Sequence, residues 1–380
     1  MNQPEERAST GGGATRTREG PTEPESEIPD ELSPQRLRRR LLEFAVVGAV
    51  IVVVVLTFPS LGNLRHEIAH ASAGWLVAGI ALEVCSALSY VLVFRAVFCS
   101  RMSWQLSYQI GMAEQGANSV LSVSGAGGLA LGAWALRRGG MDTEHIARRS
   151  VAFFFLTSLA NVATLVVFAV LYVAGVLHHD RNPPLTYVFG AVAVLVSAMV
   201  VFGLPRLRPP AASPARDSGR VARGVWFVRD SLGQGVRDAL LMLRHRPARI
   251  LLGSFGFMAF DLAVLGVCFK AFGYSPPIGI LVVGYLVGQL GGNVPIPGGI
   301  GGVDVGLIGT FALYHQPLAA TTAAVLAYHA IALWIPGLLG SLAFVQLRRT
   351  LRRQAHPAAI CMPLAEPIET VRLPATVSIG

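Results

Sequence analysis

The chain has 380 residues, 53% of them hydrophobic and 14% charged, with a mean hydropathy of +0.54 and a formal net charge of +9. A soluble domain carries about a quarter of its residues charged, so this balance points to a polytopic membrane protein. The positive excess is almost wholly arginine, Lys270 being the single lysine, and it falls in connections without interleaved aromatics. That placement excludes a nucleic-acid footprint and suits orientation in a membrane.

Residues 1–35 are rich in Glu, Pro, Ser, Thr and Gly with few large apolar side chains, and read as a disordered tail. No cleavable signal peptide is expected, because the first apolar run begins some forty residues in and no small-residue cleavage pattern follows it. The transmembrane domain is expected over 36–346 and a cytoplasmic tail over 347–380.

RLRRR (36–40) precedes a first span at 41–58 and places the N-terminus in the cytoplasm. The nearly neutral connection 59–71 reads as external, and a second span, about 72–98, returns to Arg95 and Arg101. From Leu106 to Leu136 the chain is apolar but broken by GANSVLSVSGAGG, and it closes on RRGGMDTEHIARR (137–149). A segment that starts and finishes on one side is a re-entrant hairpin or two short helices.

Spans at 150–177 and 186–204 flank an external HHDRNPP (178–184) and lead to a basic loop, 205–249, the strongest cytoplasmic marker. Residues 250–272 go out again, and the last span, 318–346, ends inside because RRTLRR (348–353) follows it. The segment from Pro277 to Pro317 therefore begins and ends outside and forms a second hairpin. The expected fold is an all-α polytopic membrane protein with about six full spans and two opposed re-entrant helical hairpins, both termini cytoplasmic, in a bacterial inner membrane.

The two broken segments resemble each other. GAGGLALG (125–132) and GIGGVDVG (299–306) share the pattern G-x-G-G-[LV]-x-[LV]-G, each preceded by an Asn, Asn118 and Asn293. Span, hairpin and span, once over about 72–177 and once over 250–346, make an inverted-topology repeat of the kind transporters use. Irregular backbone at membrane depth must be buried in protein or line a wet cavity, and helix ends there offer partial charges to a polar ligand.

The candidate translocation residues are therefore Asn118, Gly125, Gly127 and Gly128 in the first hairpin, and Asn293, Pro295, Pro297, Gly298, Gly299, Gly301 and Asp304 in the second, with His329 in the last span. Asp304 stands out, since an Asp at the centre of a span costs about 3 kcal/mol on insertion scales and such residues face an interior or a pathway. Glu114 and Asp261 are secondary polar candidates, with Glu83 a further buried acid. Arg95 and Lys270 sit near span ends, where long side chains snorkel.

A competing metal site is HEIAH (66–70), in which His66 and His70 would ligate zinc and Glu67 would activate water, as in an intramembrane metalloprotease. It lies at the mouth of a span, however, and Asp304 follows Pro297 at too long a spacing for that chemistry. The four cysteines, Cys85, Cys99, Cys268 and Cys361, show no CxxC spacing and suggest neither a disulfide framework nor a zinc cluster. No catalytic residue and no cofactor is expected.

PIPGGIGGVDVGLIG (295–309) followed by LAATTAAVLAYHAIALWIPGLLGSLAF (318–344) resembles the signature of the transmembrane domain of the lysylphosphatidylglycerol synthetase/flippase family. The likeness covers roughly 40–350 in layout and is specific mainly in the second half. It implies a membrane domain that moves a lipid between leaflets, with membrane lipid as its partner. Members with the full architecture add an aminoacyl-tRNA-dependent transferase after the membrane part; the chain ends soon after its last span, so that activity is not implied. Free-standing members also exist, and a separately encoded lipid-modifying enzyme is a candidate partner, with an oligomer open and nucleic acid excluded. Two departures stand out: the family's usual Glu is Asp304, and its frequent Arg in the last span is His329, beside Tyr328. A permanent charge is thereby replaced by one that titrates near neutrality.

Overall fold

The computed structural model describes residues 69–121, 126–174, 219–245, 247–291 and 302–353, with positions 42, 46, 66, 191 and 195 besides. Its helices in chain order are α1 (Ala73–Phe98), α2 (Trp104–Leu121), α3 (Ala126–Arg138), α4 (Thr143–Val173), α5 (Arg220–His245), α6 (Pro247–Ala271), α7 (Ile278–Gly291), α8 (Gly302–Leu313) and α9 (Leu318–Arg353). Four of them, α1, α4, α6 and α9, are long and apolar enough to cross a membrane. They coincide with the spans expected from 72, 150, 250 and 318, with α4 starting seven residues earlier, at Thr143. The expected spans at 41–58 and 186–204 lie outside the described residues.

In the first broken segment, read as a re-entrant hairpin or two short helices, stand α2 and α3, and in the second, read as a hairpin, stand α7 and α8. Each pair is antiparallel. A Cβ on Gly128 would meet Asn118 and one on Gly132 would sit 2.9 Å from the Glu114 carboxylate, so residue numbers fall on one helix as they rise on the other. In the second pair Gly291 meets Gly302, Gly288 meets Leu307 at 2.7 Å and Gly284 meets Phe311 at 2.8 Å. Glycine is required at these points because the opposing helix occupies the volume of a side chain.

The stretch 205–249, read as a loop, holds the 26-residue helix α5. Its charges masked a period: Val221, Val225, Val228 and Leu232 repeat at helical spacing and stay exposed, while Val236 and Ala239 continue the stripe into the core. The opposite side packs on α4. Gly235 would place a Cβ 2.6 Å from Val151, Asp230 and Arg148 both bond Gln234, and Arg149 reaches Asp238 at 4.0 Å.

α1 and α6 form the central antiparallel pair. A Cβ on Gly253 would lie 2.8 Å from the Val93 backbone and one on Gly256 2.9 Å from Ser89, so the helices touch nearly backbone to backbone. The Ser86 hydroxyl donates to the Phe257 carbonyl at 3.0 Å across the crossing. A second close crossing joins α2 and α9, where a Cβ on Gly116 would stand 2.7 Å from the Cα of Gly340. α9 also carries Pro336, which has no amide hydrogen for the Ala332 carbonyl one turn earlier.

Among the described residues the apolar interior has a small cluster of Ala87, Val91, Met112 and Ala343 and two large ones. One cluster, around Phe94, Phe98, Phe153 and Leu347, gathers at the C-terminal end of α1 with α2, α3 and α4. The other, around Phe269, Phe311, Tyr314 and Val325, gathers at the C-terminal end of α6 with α7 and α8. Because α1 and α6 run antiparallel, the two helix pairs start from opposite ends of the bundle. Large apolar side chains such as Val77, Leu88, Leu252, Leu338 and Leu342 point outward, as in a protein whose solvent is lipid.

Turn chemistry closes the ends. Ser103 Oγ accepts from the Leu106 amide at 3.2 Å at the start of α2, and Asp142 accepts from the Glu144 and His145 amides at 2.9 and 3.3 Å at the start of α4. α3 and α6 end on left-handed glycines, Gly140 and Gly273, whereas α8 ends on His315 at φ 56°. Arg95 lies over the Trp104 ring at 4.3 Å and Lys270 over the Trp75 ring at 4.9 Å, marking opposite ends of α1 with the cation and aromatic pairs that favour an interface. Cys99, just past α1, is disulfide-bonded, where its spacing suggested no bridge; Cys85 and Cys268 are free.

The Gly116–Gly340 crossing makes a direct test. Gly116→Ala is expected to lower stability by about 1–3 kcal/mol because backbone sits where the methyl must go. Gly309→Ala, with open space around it, is expected to be neutral or to gain up to about 1 kcal/mol of helix propensity. Thermal unfolding of the two variants in detergent reads the difference.

Candidate functional site

Three polar clusters sit among the apolar helices. In the first hairpin, Asn118 reaches across from α2, and its side-chain oxygen accepts from the Gly128 amide at 2.8 Å. Gly128 lies in the first turn of α3, where helical amides lack an intrahelical partner, so the Asn side chain supplies one. Glu114, one turn before Asn118 and 5% exposed, lies within electrostatic reach of the Tyr90 hydroxyl of α1 and against Gly132. Gln115 Nε2 donates to the Ala87 carbonyl at 3.3 Å. Gly127 is half-buried beside Gly128, and Gly125 lies outside the described residues.

In the second hairpin, Asp304 lies in the first turn of α8, where the helix dipole favours a carboxylate. Its Oδ1 stands 3.0 Å from Nδ1 of His329 on α9, and both side chains are about 15% exposed. The two residues singled out in the sequence, 25 positions apart, are thus brought together as an acid–imidazole pair. The other imidazole nitrogen, Nε2, is buried with no hydrogen-bond partner among the described residues. Asn293, Pro295, Pro297, Gly298, Gly299 and Gly301 lie outside the described residues.

The third cluster was legible only in its acid. Asp261, in the middle of α6, accepts at Oδ2 from the Tyr285 hydroxyl of α7 at 2.8 Å, the Tyr328 hydroxyl of α9 at 3.1 Å and Gln289 Nε2 of α7 at 3.3 Å. Tyr285 and Gln289 are one helical turn apart, so both face the same point. Tyr328 and His329 are consecutive on α9, and one bonds Asp261 while the other contacts Asp304. α9 therefore touches two acids on two different helices.

Among the described residues four helices are long and apolar enough to cross a membrane, and the sequence comparison also points to a membrane protein. The profile of the family described as lysylphosphatidylglycerol synthase TM region matches residues 41–340. The chain belongs to this family. Among curated proteins no sequence match is found.

Membership makes the chain a membrane protein of a family tied to lipid synthesis, and the match spans both helix pairs and all three polar clusters. The metal alternative gains nothing from the geometry. His66 and His70 are exposed with rings 4.2 Å apart, His70 Nδ1 lies 2.8 Å from the His66 carbonyl, and Glu67 lies outside the described residues. Among the described residues no group of three or more potential metal ligands gathers.

Two clasp variants test these contacts. Asn118→Ala leaves the Gly128 amide without its acceptor and is expected to lower stability by about 1–3 kcal/mol; Tyr285→Phe, which removes one donor from Asp261, is expected to lose a similar amount. Thermal unfolding in detergent measures both, and neither loss should exceed that of Gly128→Ala, which drives a methyl into Asn118 and to 2.5 Å from the Glu114 carbonyl.

Proposed function

We propose that this protein moves the headgroup of an anionic or zwitterionic phospholipid or glycophospholipid between leaflets of a bacterial inner membrane. The observation that carries the reading is the Asp304–His329 pair, a half-buried acid and imidazole meeting at the N-terminal turn of α8. A helix N-terminus and a protonatable imidazole are both suited to a phosphate. The headgroup lodges between the hairpin tips, near Gly125–Gly128 and Asn293–Gly302, with Asn118 fixing the first tip.

Opposed re-entrant hairpins in an inverted repeat follow from the same reading, and the internal spacing supports it. The residues bonded across the α1–α6 crossing, Ser86 and Phe257, are 171 apart. Shifting Tyr90 and Glu114 by the same amount lands on Asp261 and Tyr285, so each half has an acid–tyrosine brace between its first span and its hairpin, with acid and tyrosine exchanged. Antiparallel helices that cross where a residue meets its own shifted copy are related by a two-fold axis across the helix direction, the symmetry of an inverted repeat. One departure is the α2–α9 crossing, whose counterpart between α7 and α4 is slight. On the cytoplasmic side, the exposed Arg223, Arg229, Arg237 and Arg244 of α5, with its exposed valines, suit an anionic lipid surface.

Proteoliposomes with fluorescent phosphatidylglycerol and aminoacylated phosphatidylglycerol test the proposal. Wild type is expected to move lipid, and Asp304→Asn and His329→Phe to slow the initial rate about tenfold or more, the loss of one charge-assisted contact. Variants that are folded and as fast as wild type contradict the site. A wild type that moves none of the lipids favours a non-transporting role beside a separately encoded lipid-modifying enzyme.

A further inference from the structure

The cluster at the α1–α6 crossing has a feature that headgroup binding does not use. Glu83 on α1, 4% exposed, lies within electrostatic reach of Asp261 on α6, Tyr285 on α7 and Tyr328 on α9. Its Oε2 is buried with no hydrogen-bond partner among the described residues. Asp261 is the opposite case, since three donors converge on its Oδ2. Three donors on one oxygen satisfy a carboxylate in its charged form.

The groups facing this pair are thus a tyrosine and an amide from α7 and a tyrosine from α9, with no lysine, arginine or histidine acting on Glu83 among the described residues. Two carboxylates in one water-poor site with no cation cannot both be ionised, because desolvation and mutual repulsion add. A resident metal does not fit either, as no third acidic, His or Cys ligand joins them among the described residues.

We infer that Glu83 and Asp261 together hold one exchangeable proton inside the membrane, and that its uptake and release couple lipid movement to a proton gradient. The coupling rests on the transport reading; the shared proton does not. On loading, one proton from the water on one side binds a Glu83 carboxylate oxygen and takes the pair from two negative charges to one. On release the same O–H bond breaks, and the proton leaves to the other side. Asp261 stays the charged partner under its three donors. The link to the translocation site is α9: Tyr328, which holds Asp261, is adjacent to His329, which holds Asp304, so a charge change at the pair bears on the helix that carries the imidazole.

Infrared difference spectroscopy of the purified protein in lipid nanodiscs, titrated with pH, tests the proton directly. One protonated-carboxyl C=O band is expected to titrate, to vanish in Glu83→Gln, and to persist with a moved midpoint in Tyr328→Phe, which weakens the hold on Asp261. A merely structural glutamate would give no titrating band. In proteoliposomes an imposed gradient of about one pH unit is expected to change the initial rate of lipid movement by up to about tenfold, and Glu83→Gln to lose that response. A band that survives in Glu83→Gln overturns the shared proton, lipid movement unchanged by the gradient overturns the coupling, and both leave the transport reading standing. A wild type that moves no lipid under any gradient overturns the transport reading and the coupling with it, while the infrared band still decides the shared proton.

Discussion

No water is available at membrane depth to satisfy a polar group, so the start of α3 and the acids Asp261 and Asp304 draw their partners from inside the protein. That constraint shapes the whole bundle. The first hairpin breaks its helix, and the amide exposed at the new helix start, Gly128, is taken up by Asn118 from the strand of helix that leads into the break. Asp261, in the middle of a span, draws donors from two other helices. Asp304 pairs with an imidazole across a helix boundary.

Partners at such distances are reached only if backbones come close, and glycine allows that. Gly253 and Gly256 seat α6 on α1, Gly116 and Gly340 seat α2 on α9, and Gly288 and Gly306 bring α7 and α8 together. Driving force from water exclusion is absent between helices in lipid, so the close packing and the polar braces carry the association. α9 gathers the result. It crosses α2 through Gly340, holds Asp261 through Tyr328 and holds Asp304 through His329, with Pro336 breaking its hydrogen-bond ladder between these points and the crossing. A shift of this one helix would act on both acids at once.

Much of this was legible in the sequence, for identifiable reasons. The hairpins stood out because glycine runs interrupt apolar segments, and α2 with α3 and α7 with α8 pair antiparallel there. Asp304 and His329 were both marked as polar groups in apolar surroundings, and the resemblance of 295–309 and 318–344 put them in one signature, which the family match over 41–340 supports. Their meeting at 3.0 Å is tertiary information that no single segment carries. Tyr285 and Gln289 were missed because a tyrosine and a glutamine in an apolar helix look like packing; the signal lay in a separation shared with Tyr90 and Glu114 in the other half. Helix α5 was hidden by its arginines, which satisfied the orientation rule before the helical period of its valines was considered.

The central claim is that the two hairpins enter the membrane from opposite faces. Single cysteines introduced at Ser103 and Asp142, the base of the first hairpin, and at Ser275 and Gln316, the base of the second, test it in a background whose native cysteines have been replaced. Labelling by a membrane-impermeant maleimide is compared in right-side-out and inverted vesicles. The account predicts that positions 103 and 142 react only from the cytoplasmic face and 275 and 316 only from the outer face. Labelling of all four from one face would contradict it.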